Sequence, residues 1–446
     1  MVPTTRRILI ILGIALFLRM IVPVASFLVV RSDRGFLFPD SGSYLRPAEE
    51  LLRSGRFANG DRPEINRTPG YPMLLVPGIL LGNPVLVTIV LQVILSLATV
   101  WLVYRTSALL FENENAAAAA ALLYSLEPLS ILYTTLILAE TLFTILIVAS
   151  FFCLADYFKR RQALGTLILA AVSLACSIYV RPVSYYLPFL VSLVLLPALL
   201  LRHRKIRYLL HVAVFLVVSF GPLAAWQARN RAETGYSGFS AISSINLYFC
   251  QAASIRAKLE GLPYLEVRRR MGSGEEHPEQ LSWSDTQRYQ FWKREGVRMV
   301  MRHPVLYTRI HLGGMVRILF DPGSVDYLKV FAAAPRSSGT LGRIVDRGLA
   351  SVVLGLLRDN PLVFWTQLAL FALLAVYYLL AALGLLGRQC SGFWAKAAVV
   401  AVILYFVAIS GGPQGYSRFR HPVMPFLCVL AGCGLYWLAR KRESPA

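Results

Sequence analysis

Pro84-Val-Leu-Val-Thr-Ile-Val-Leu-Gln-Val-Ile-Leu-Ser-Leu-Ala-Thr-Val-Trp-Leu-Val-Tyr104 runs end to end without a charged residue. A helix rises about 1.5 Å per residue and the bilayer core is about 30 Å thick, so roughly 20 such residues cross it. The same reading extends outward to segments 8–30, 116–134, 137–158, 163–180, 183–201, 208–228, 361–387, 394–410 and 421–439. Ten spans of that length use about 200 residues, near half of the 446 present. Composition agrees, with 56% hydrophobic and 15% charged residues and a mean hydropathy of +0.57. The expected fold is all-α, a polytopic transmembrane helix bundle of about 10 spans (range 10–12) with external juxtamembrane helices. A disordered chain, a disulfide scaffold, a coiled coil and a soluble enzyme are excluded.

The formal charge of +21 does not indicate nucleic acid, because the basic residues are divided among the ends of the spans. Arginine supplies nearly all of it, lysine only seven positions. Such a bias suits phosphate binding, and a GC-rich genome produces it equally well. The six cysteines show no CxxC or Cys/His spacing, so neither a zinc site nor a disulfide framework is supported.

The first run resembles a signal peptide but is too long and lacks a clear cleavage site, so it reads as an uncleaved helix. Arg6 and Arg7 before it place the N-terminus in the cytoplasm. Ten spans then put Lys159-Arg160-Arg161, Arg202-His203-Arg204-Lys205 and Arg440-Lys441-Arg442 on the same side. Both termini are expected in the cytoplasm. Three units follow: an N-terminal transmembrane module 1–230 with a first external loop at 31–83, an external or juxtamembrane region 231–360, and C-terminal transmembrane helices 361–446. Val297 to Phe320 is ambiguous, since Arg302, Arg309 and Arg317 interrupt an apolar run. It reads as an amphipathic helix at the interface. If it spans, parity requires a second hidden helix, for which 341–357 is the candidate.

This topology sends particular ionisable residues to one side at similar depth: Asp40 beyond the first span, Glu140 and Glu127 near an outer hairpin, and Arg181, Arg418 and Arg420 at outer span ends. Ionisable groups near a membrane core point to function by default. Each also has a plainer reading. Asp40 follows Pro39 and would serve as a helix cap; Glu140 would pair with an arginine; Glu127 precedes Pro128 and would mark a kink. The arginines would anchor helix ends at the interface. Arg19, deep in the first span, reads as a structural or headgroup contact, and His421 beside a proline as a loop residue. Arg418 and Arg420, two apart in an extended segment, would point opposite ways, with Arg418 the critical one and Arg420 an interfacial anchor.

The first loop reads Asp40-Ser-Gly-Ser-Tyr44, Ala48-Glu-Glu-Leu-Leu, Gly55-Arg-Phe57 and Arg67-Thr-Pro-Gly-Tyr-Pro72. Leu138-Ala-Glu-Thr-Leu-Phe143, Val180-Arg-Pro182 and Arg418-Phe-Arg-His-Pro422 follow in order. These stretches resemble the GT-C membrane glycosyltransferases, in particular the bacterial branch similar to dolichyl-phosphate-mannose protein mannosyltransferases and lipid A aminoarabinose transferases. The resemblance covers the first 230 residues and the last 30, with little between. It implies a GT-C-like fold and a polyprenyl-phosphate-sugar donor. It also implies transfer at the external face of a bacterial inner (plasma) membrane, in the periplasmic compartment. Asp40 falls at the family's catalytic aspartate. Glu140 joins it as a candidate catalytic residue, Arg181, Arg418 and Arg420 as donor-phosphate ligands, and Tyr44, Arg67, Tyr71 and Glu127 as substrate contacts. Where some relatives have a second acid beside the aspartate, Ser41 stands here, and no Asp-x-Asp pair occurs. No cofactor is therefore required, and a divalent metal is unsupported. The expected partners are the donor, membrane lipids and a lipid, glycan or protein acceptor, not nucleic acid. No large soluble domain is expected after the last span, which leaves the acceptor open.

The expected activity is inverting transfer of a hexosyl or pentosyl group to a hydroxyl. The rival is a lipid-linked glycan flippase or transporter, or an O-antigen polymerase or ligase. A transporter collects its ionisable residues near the midplane, whereas here they collect at one face.

Overall fold

The computed structural model describes residues 3–160, 162–203, 205–273, 277–331, 355, 357–358, 360–387, 390 and 392–443. Helices dominate it. Among the described residues, strand occurs only as an antiparallel two-residue pair in the first loop, Ala58↔Pro63 and Asn59↔Arg62. In chain order the helices are α1 Pro3–Val30, α2 Ser41–Ser54, α3 Gly70–Leu80, α4 Pro84–Phe111, α5 Glu114–Leu126, α6 Pro128–Leu132 and α7 Glu140–Lys159. There follow α8 Leu164–Val180, α9 Leu187–His203, α10 Arg207–Thr234, α11 Ile242–Asn246, α12 Ala253–Glu260, α13 Tyr264–Ser273 and α14 Asp285–Arg302. The series closes with α15 Pro304–Phe320, α16 Ser324–Val330, α17 Pro361–Leu386, α18 Phe393–Ile409 and α19 Met424–Glu443.

Among the described residues, seven helices are long and apolar enough to cross a membrane: α1, α4, α7, α10, α17, and those containing α9 and α19. α8 and α18 are apolar but shorter, at 17 residues each. The chain is a multi-pass membrane protein. Contacts join the helix ends into two sets. Arg7 Nη1 donates to Asn115 Oδ1 at 2.8 Å, Lys159 Nζ to Glu112 at 2.7 Å, and the Tyr208 hydroxyl to Gln162 at 2.8 Å. These tie the start of α1 and the turns α4–α5, α7–α8 and α9–α10 to one end. The first loop, the 133–139 turn, the start of α16 and the 412–423 segment meet at the other, as the contacts of the site below show.

The run at 116–134 is not one helix. It breaks at Glu127-Pro128, where proline has no N–H to return to the preceding turn. Glu127 caps α6 instead, its carboxylate accepting from Leu129 N at 3.1 Å and Ser130 N at 2.5 Å. The break leaves carbonyls unpaired inside the bundle, and Arg19 of α1 takes them. Its guanidinium donates to Ser125 O at 3.1 Å, Ser130 Oγ at 3.0 Å and Ser96 Oγ at 2.7 Å. Arg19 is fully buried, a structural clasp and not a headgroup contact.

The ambiguous stretch 297–320 divides at His303-Pro304 into α14 and α15. Arg302 and Arg309 are exposed. Arg317 is instead drawn to the 412–415 loop. The hidden helix at 341–357 falls almost wholly outside the described residues. Near the other end of the chain, α17 and α19 pack as close neighbours. Gly384 lies against Leu430 O and Gly434 against Leu380 O, with no room for a Cβ. Small residues let backbones approach where lipid supplies no hydrophobic drive between helices.

Candidate active site

Asp40 stands at the N-cap position of α2, yet its side chain makes no capping bond. Ser41 and Ser43 do the local work. Ser41 Oγ accepts from Phe38 N and donates to Ile137 O, both at 2.9 Å, and Ser43 Oγ donates to Asp40 O at 2.6 Å. The carboxylate is thereby released to face two guanidinium groups. Arg67 Nη2 donates to Oδ1 at 2.8 Å and Arg418 Nη1 to Oδ2 at 2.6 Å. Partial burial alone would push this carboxyl up; the adjacent Arg418 and Arg67 charges outweigh it, and its pKa falls below the ordinary 3.8.

Arg67 is itself held in register. Its Nε donates to Ser43 Oγ at 2.9 Å and its Nη1 to the Tyr44 hydroxyl at 3.2 Å, with the guanidinium 4.5 Å from the Tyr44 ring centre. Tyr44 meets Tyr71 edge to face at 5.0 Å. The buried Tyr71 hydroxyl donates to Gln92, whose amide donates to the carbonyls of Thr134 and Leu136. A chain of side chains thus runs from the 133–139 turn to Asp40.

Glu140 begins α7 and is fully buried, at 0% exposure. Its Oε1 accepts from Arg181 Nη1 at 2.6 Å and from Arg418 Nε. Arg181 is further flanked by the rings of Phe419 at 5.2 Å and Phe143 at 5.7 Å. Arg418 therefore bridges Asp40 and Glu140, and Glu140 couples Arg418 to Arg181. Residues from α2, α7, the end of α8 and the segment before α19 form one charged row.

This row borders a cavity of about 1320 Å³. Asp40, Tyr44, Arg67, Arg181 and Arg418 line it, and Val183, Phe320, Val325, Phe364, Leu368 and Phe371 give it an apolar wall. Glu140 and Tyr71 lie behind the lining. Glu127 stands elsewhere, at a small space it shares with Arg420. Among the described residues no three His, Cys, Asp or Glu side chains converge as a metal would need.

A protein-family signature described as dolichyl-phosphate-mannose-protein mannosyltransferase matches residues 66–226. That stretch includes Arg67, Glu140 and Arg181. The fold is similar to the oligosaccharyltransferase of Archaeoglobus fulgidus in its apo form, with a TM-score of 0.52 and 12% identity over 99% of this chain and 52% of that one. The same enzyme tethered to an acceptor peptide containing the NVT sequon gives a TM-score of 0.53 and 12% identity over 98% and 50%. The chain has the GT-C glycosyltransferase fold. It spans about half the length of the solved enzyme. No curated protein matches it in sequence.

Within this GT-C fold the three arginines assigned to the donor phosphate part company. Arg181 and Arg418 meet at Glu140, whereas Arg420 turns away and donates Nη1 to the carbonyls of Ile318 and Asp321 at 2.7 Å each and of Leu319 at 3.2 Å. The divergence does not come from an extended segment, since Ser417–Val423 is a 3₁₀ turn. Three residues per turn still send i and i+2 to different sides. His421 is buried in that turn, its Nδ1 sharing a hydrogen bond with Thr144 Oγ1 at 2.7 Å. It is not an open loop residue.

A stability effect is expected at Arg420. Leu319 O also accepts the Tyr378 hydroxyl at 2.5 Å, but Arg420→Met would strand the other two carbonyls at the end of α15. Each buried orphan costs about 1–3 kcal/mol. Thermal unfolding in detergent should show a lowered Tm, with turnover per folded molecule within a few-fold of the parent. Unchanged unfolding with lost turnover would contradict this placement.

Cavity residues that sequence reading did not single out include Gln251, Arg268, Gln414 and Tyr416, and Phe419 was noted only as part of a motif. Phe419 was signalled by its place between two arginines. The carboxamides carry no charge and no periodicity, and nothing in the chain pattern marks them.

Proposed function

We propose that the chain is an inverting glycosyltransferase moving a sugar from a polyprenyl-phosphate-linked donor to a hydroxyl of a lipid, glycan or protein acceptor, on the external face of a bacterial inner membrane. One observation carries this reading: Asp40, Arg181 and Arg418 line a single cavity whose other wall is apolar. A polyprenyl tail calls for the apolar wall, a phosphodiester for paired guanidinium groups, and an attacking hydroxyl for a carboxylate. Module 1–230 brings Asp40, Glu140 and Arg181, and helices 361–446 bring Arg418. Residues between Ile242 and Val325 supply further lining.

In the reaction, the acceptor oxygen bonds to the anomeric carbon as its proton passes to Asp40. The bond from that carbon to the phosphate oxygen breaks, and its electron pair leaves with polyprenyl phosphate. Attack from the far face inverts the anomeric configuration. Arg181 and Arg418 stabilise the charge gathering on the departing phosphate. A phosphate competing for Arg418 also loosens that residue's hold on Asp40, so donor binding raises the basicity of the carboxylate toward its ordinary value.

The test is full-length protein in nanodiscs, given a radiolabelled polyprenyl-phosphate sugar and an envelope lipid extract. A new glycosidic product is expected. Movement of sugar across the bilayer without such a product would overturn the transferase reading in favour of a transporter.

Sidedness gives a second check. With both termini cytoplasmic and the site external, an impermeant maleimide on intact cells should label Asp61→Cys in the first loop. It should miss Arg160→Cys in the α7–α8 turn, native cysteines being subtracted. Both side chains are exposed. Position 415 is a poor choice although external, because a Cβ there would sit 2.5 Å from Gly314 O. Labelling at 160 and not at 61 would invert the topology.

A further inference from the structure

A third part of the cavity wall is built differently. Its backbone comes from two special segments. Leu247–Ala252 is a π-helical turn between α11 and α12, a widened geometry that is rare and recurs at functional sites. Facing it is the 411–415 loop, which is clamped to α15. Arg317 donates to Gly415 O at 3.1 Å, Gly412 O at 3.0 Å and Pro413 O at 3.3 Å, and Gly412 N donates to His311 O at 3.1 Å. Arg317 is thus committed to backbone.

Between the two segments stand carboxamides. Gln414 Nε2 donates to Cys250 Sγ at 2.5 Å and to Asn246 Oδ1 at 3.3 Å, which leaves its Oε1 as the atom free to accept. The Gln251 carboxamide lies over Gly412, where an added Cβ would sit 3.1 Å from Oε1 and 3.2 Å from Nε2; φ is +102° there, so glycine alone fits comfortably. Gln251 Oε1 is buried without a hydrogen-bond partner, and so is Asn66 Oδ1 on the first loop next to Arg67. All four residues line the cavity. A buried acceptor left open costs about 1–3 kcal/mol.

We infer that Gln251 and Gln414, with Asn66 and Asn246, form a subsite that reads the hydroxyl groups of a glycosyl unit. A carboxamide offers both donor and acceptor atoms, matching hydroxyls that do both. Being neutral, it does not compete with Arg181 and Arg418 for phosphate. The charged row, the carboxamide wall and the apolar wall then answer to phosphate, sugar and tail in turn. This inference rests on the transferase reading, and the glycosyl unit belongs either to the donor or to the acceptor.

The experiment uses full-length protein in nanodiscs and two probes, undecaprenyl phosphate and the same lipid carrying glucose or mannose. Gln251→Met and Gln414→Met should bind undecaprenyl phosphate like the parent. A loss of about ten-fold or more in affinity for the hexosylated lipid, one to two hydrogen bonds' worth, assigns the subsite to the donor. Unchanged binding of both lipids with a ten-fold rise in half-saturation by acceptor extract assigns it to the acceptor. Parent-like behaviour in both arms overturns the inference while leaving the transferase reading intact. If the parent protein binds neither lipid, the transferase reading falls first. A variant that loses both lipids is replaced by Gln251→Asn, which keeps the carboxamide one carbon shorter. An indiscriminate loss there too would overturn the subsite.

Discussion

Replacing Asp40 with Asn is expected to lower turnover by about two to four orders of magnitude while donor binding stays within a few-fold. Asn keeps the size and can still accept from one arginine, but it cannot take the acceptor proton. The pH profile of the parent provides the companion measurement. Burial raises the Asp40 carboxyl, Arg418 and Arg67 lower it further, and the net is a value below 3.8. The sign follows from linkage. A carboxyl whose folded pKa is depressed contributes stability above its unfolded pKa and loses it as pH falls through the folded value. Asp40 is therefore ionised throughout the neutral range, and the acid limb of kcat/KM, which reports the free protein, should lie below the ordinary carboxylate value. With 37% of its side chain exposed, its contribution to stability is screened, so activity and not unfolding should report it. Near-normal turnover in the Asn variant, measured with labelled donor, would remove Asp40 from the reaction.

The membrane helices are legible because burial in lipid allows few alternatives: a long uncharged run must pair its own backbone, and a helix does so within one segment. Parity and arginine clusters then place Asp40, Glu140, Arg181 and Arg418 at one end without any knowledge of packing. What pattern cannot reveal is partnership at a distance. Arg19 reads as an oddity in α1 until Glu127-Pro128 is seen to open carbonyls beside it. Glu127 and Glu140 look alike in sequence, each acidic and near the same hairpin. One spends its charge on backbone N–H groups and the other on two guanidinium groups. The signal separating them is Pro128, which makes Glu127 a cap at N1−1. Pro304 likewise marks the division of 297–320. The carboxamide wall lay beyond sequence reasoning, since its members gain meaning only from the backbone turns that bring them together.

Arg418→Lys is expected to reduce turnover by about two to three orders of magnitude, the usual loss when one preorganised donor to a developing anion is removed. The guanidinium meets Asp40 through Nη1 and Glu140 through Nε, two directions fixed by one planar group. An ammonium keeps the charge and loses the fork, so it can serve one carboxylate well and not both. Arg181→Lys should lose less, because Arg181 makes its single carboxylate contact through one nitrogen, which an ammonium can imitate. Arg418→Ala is a harsher and less informative change. It leaves the fully buried Glu140 with only Arg181, and removing one partner of a buried ion pair costs about 3–5 kcal/mol. Loss of fold would then obscure the chemistry. The informative comparison is therefore turnover per folded molecule across Arg418→Lys, Arg181→Lys and Arg420→Met. If these arginines only anchor helices to lipid headgroups, the three losses should be small and similar. The bridge at Glu140 requires them to be ordered, Arg418 first, Arg181 second, and Arg420 visible in the melting temperature alone.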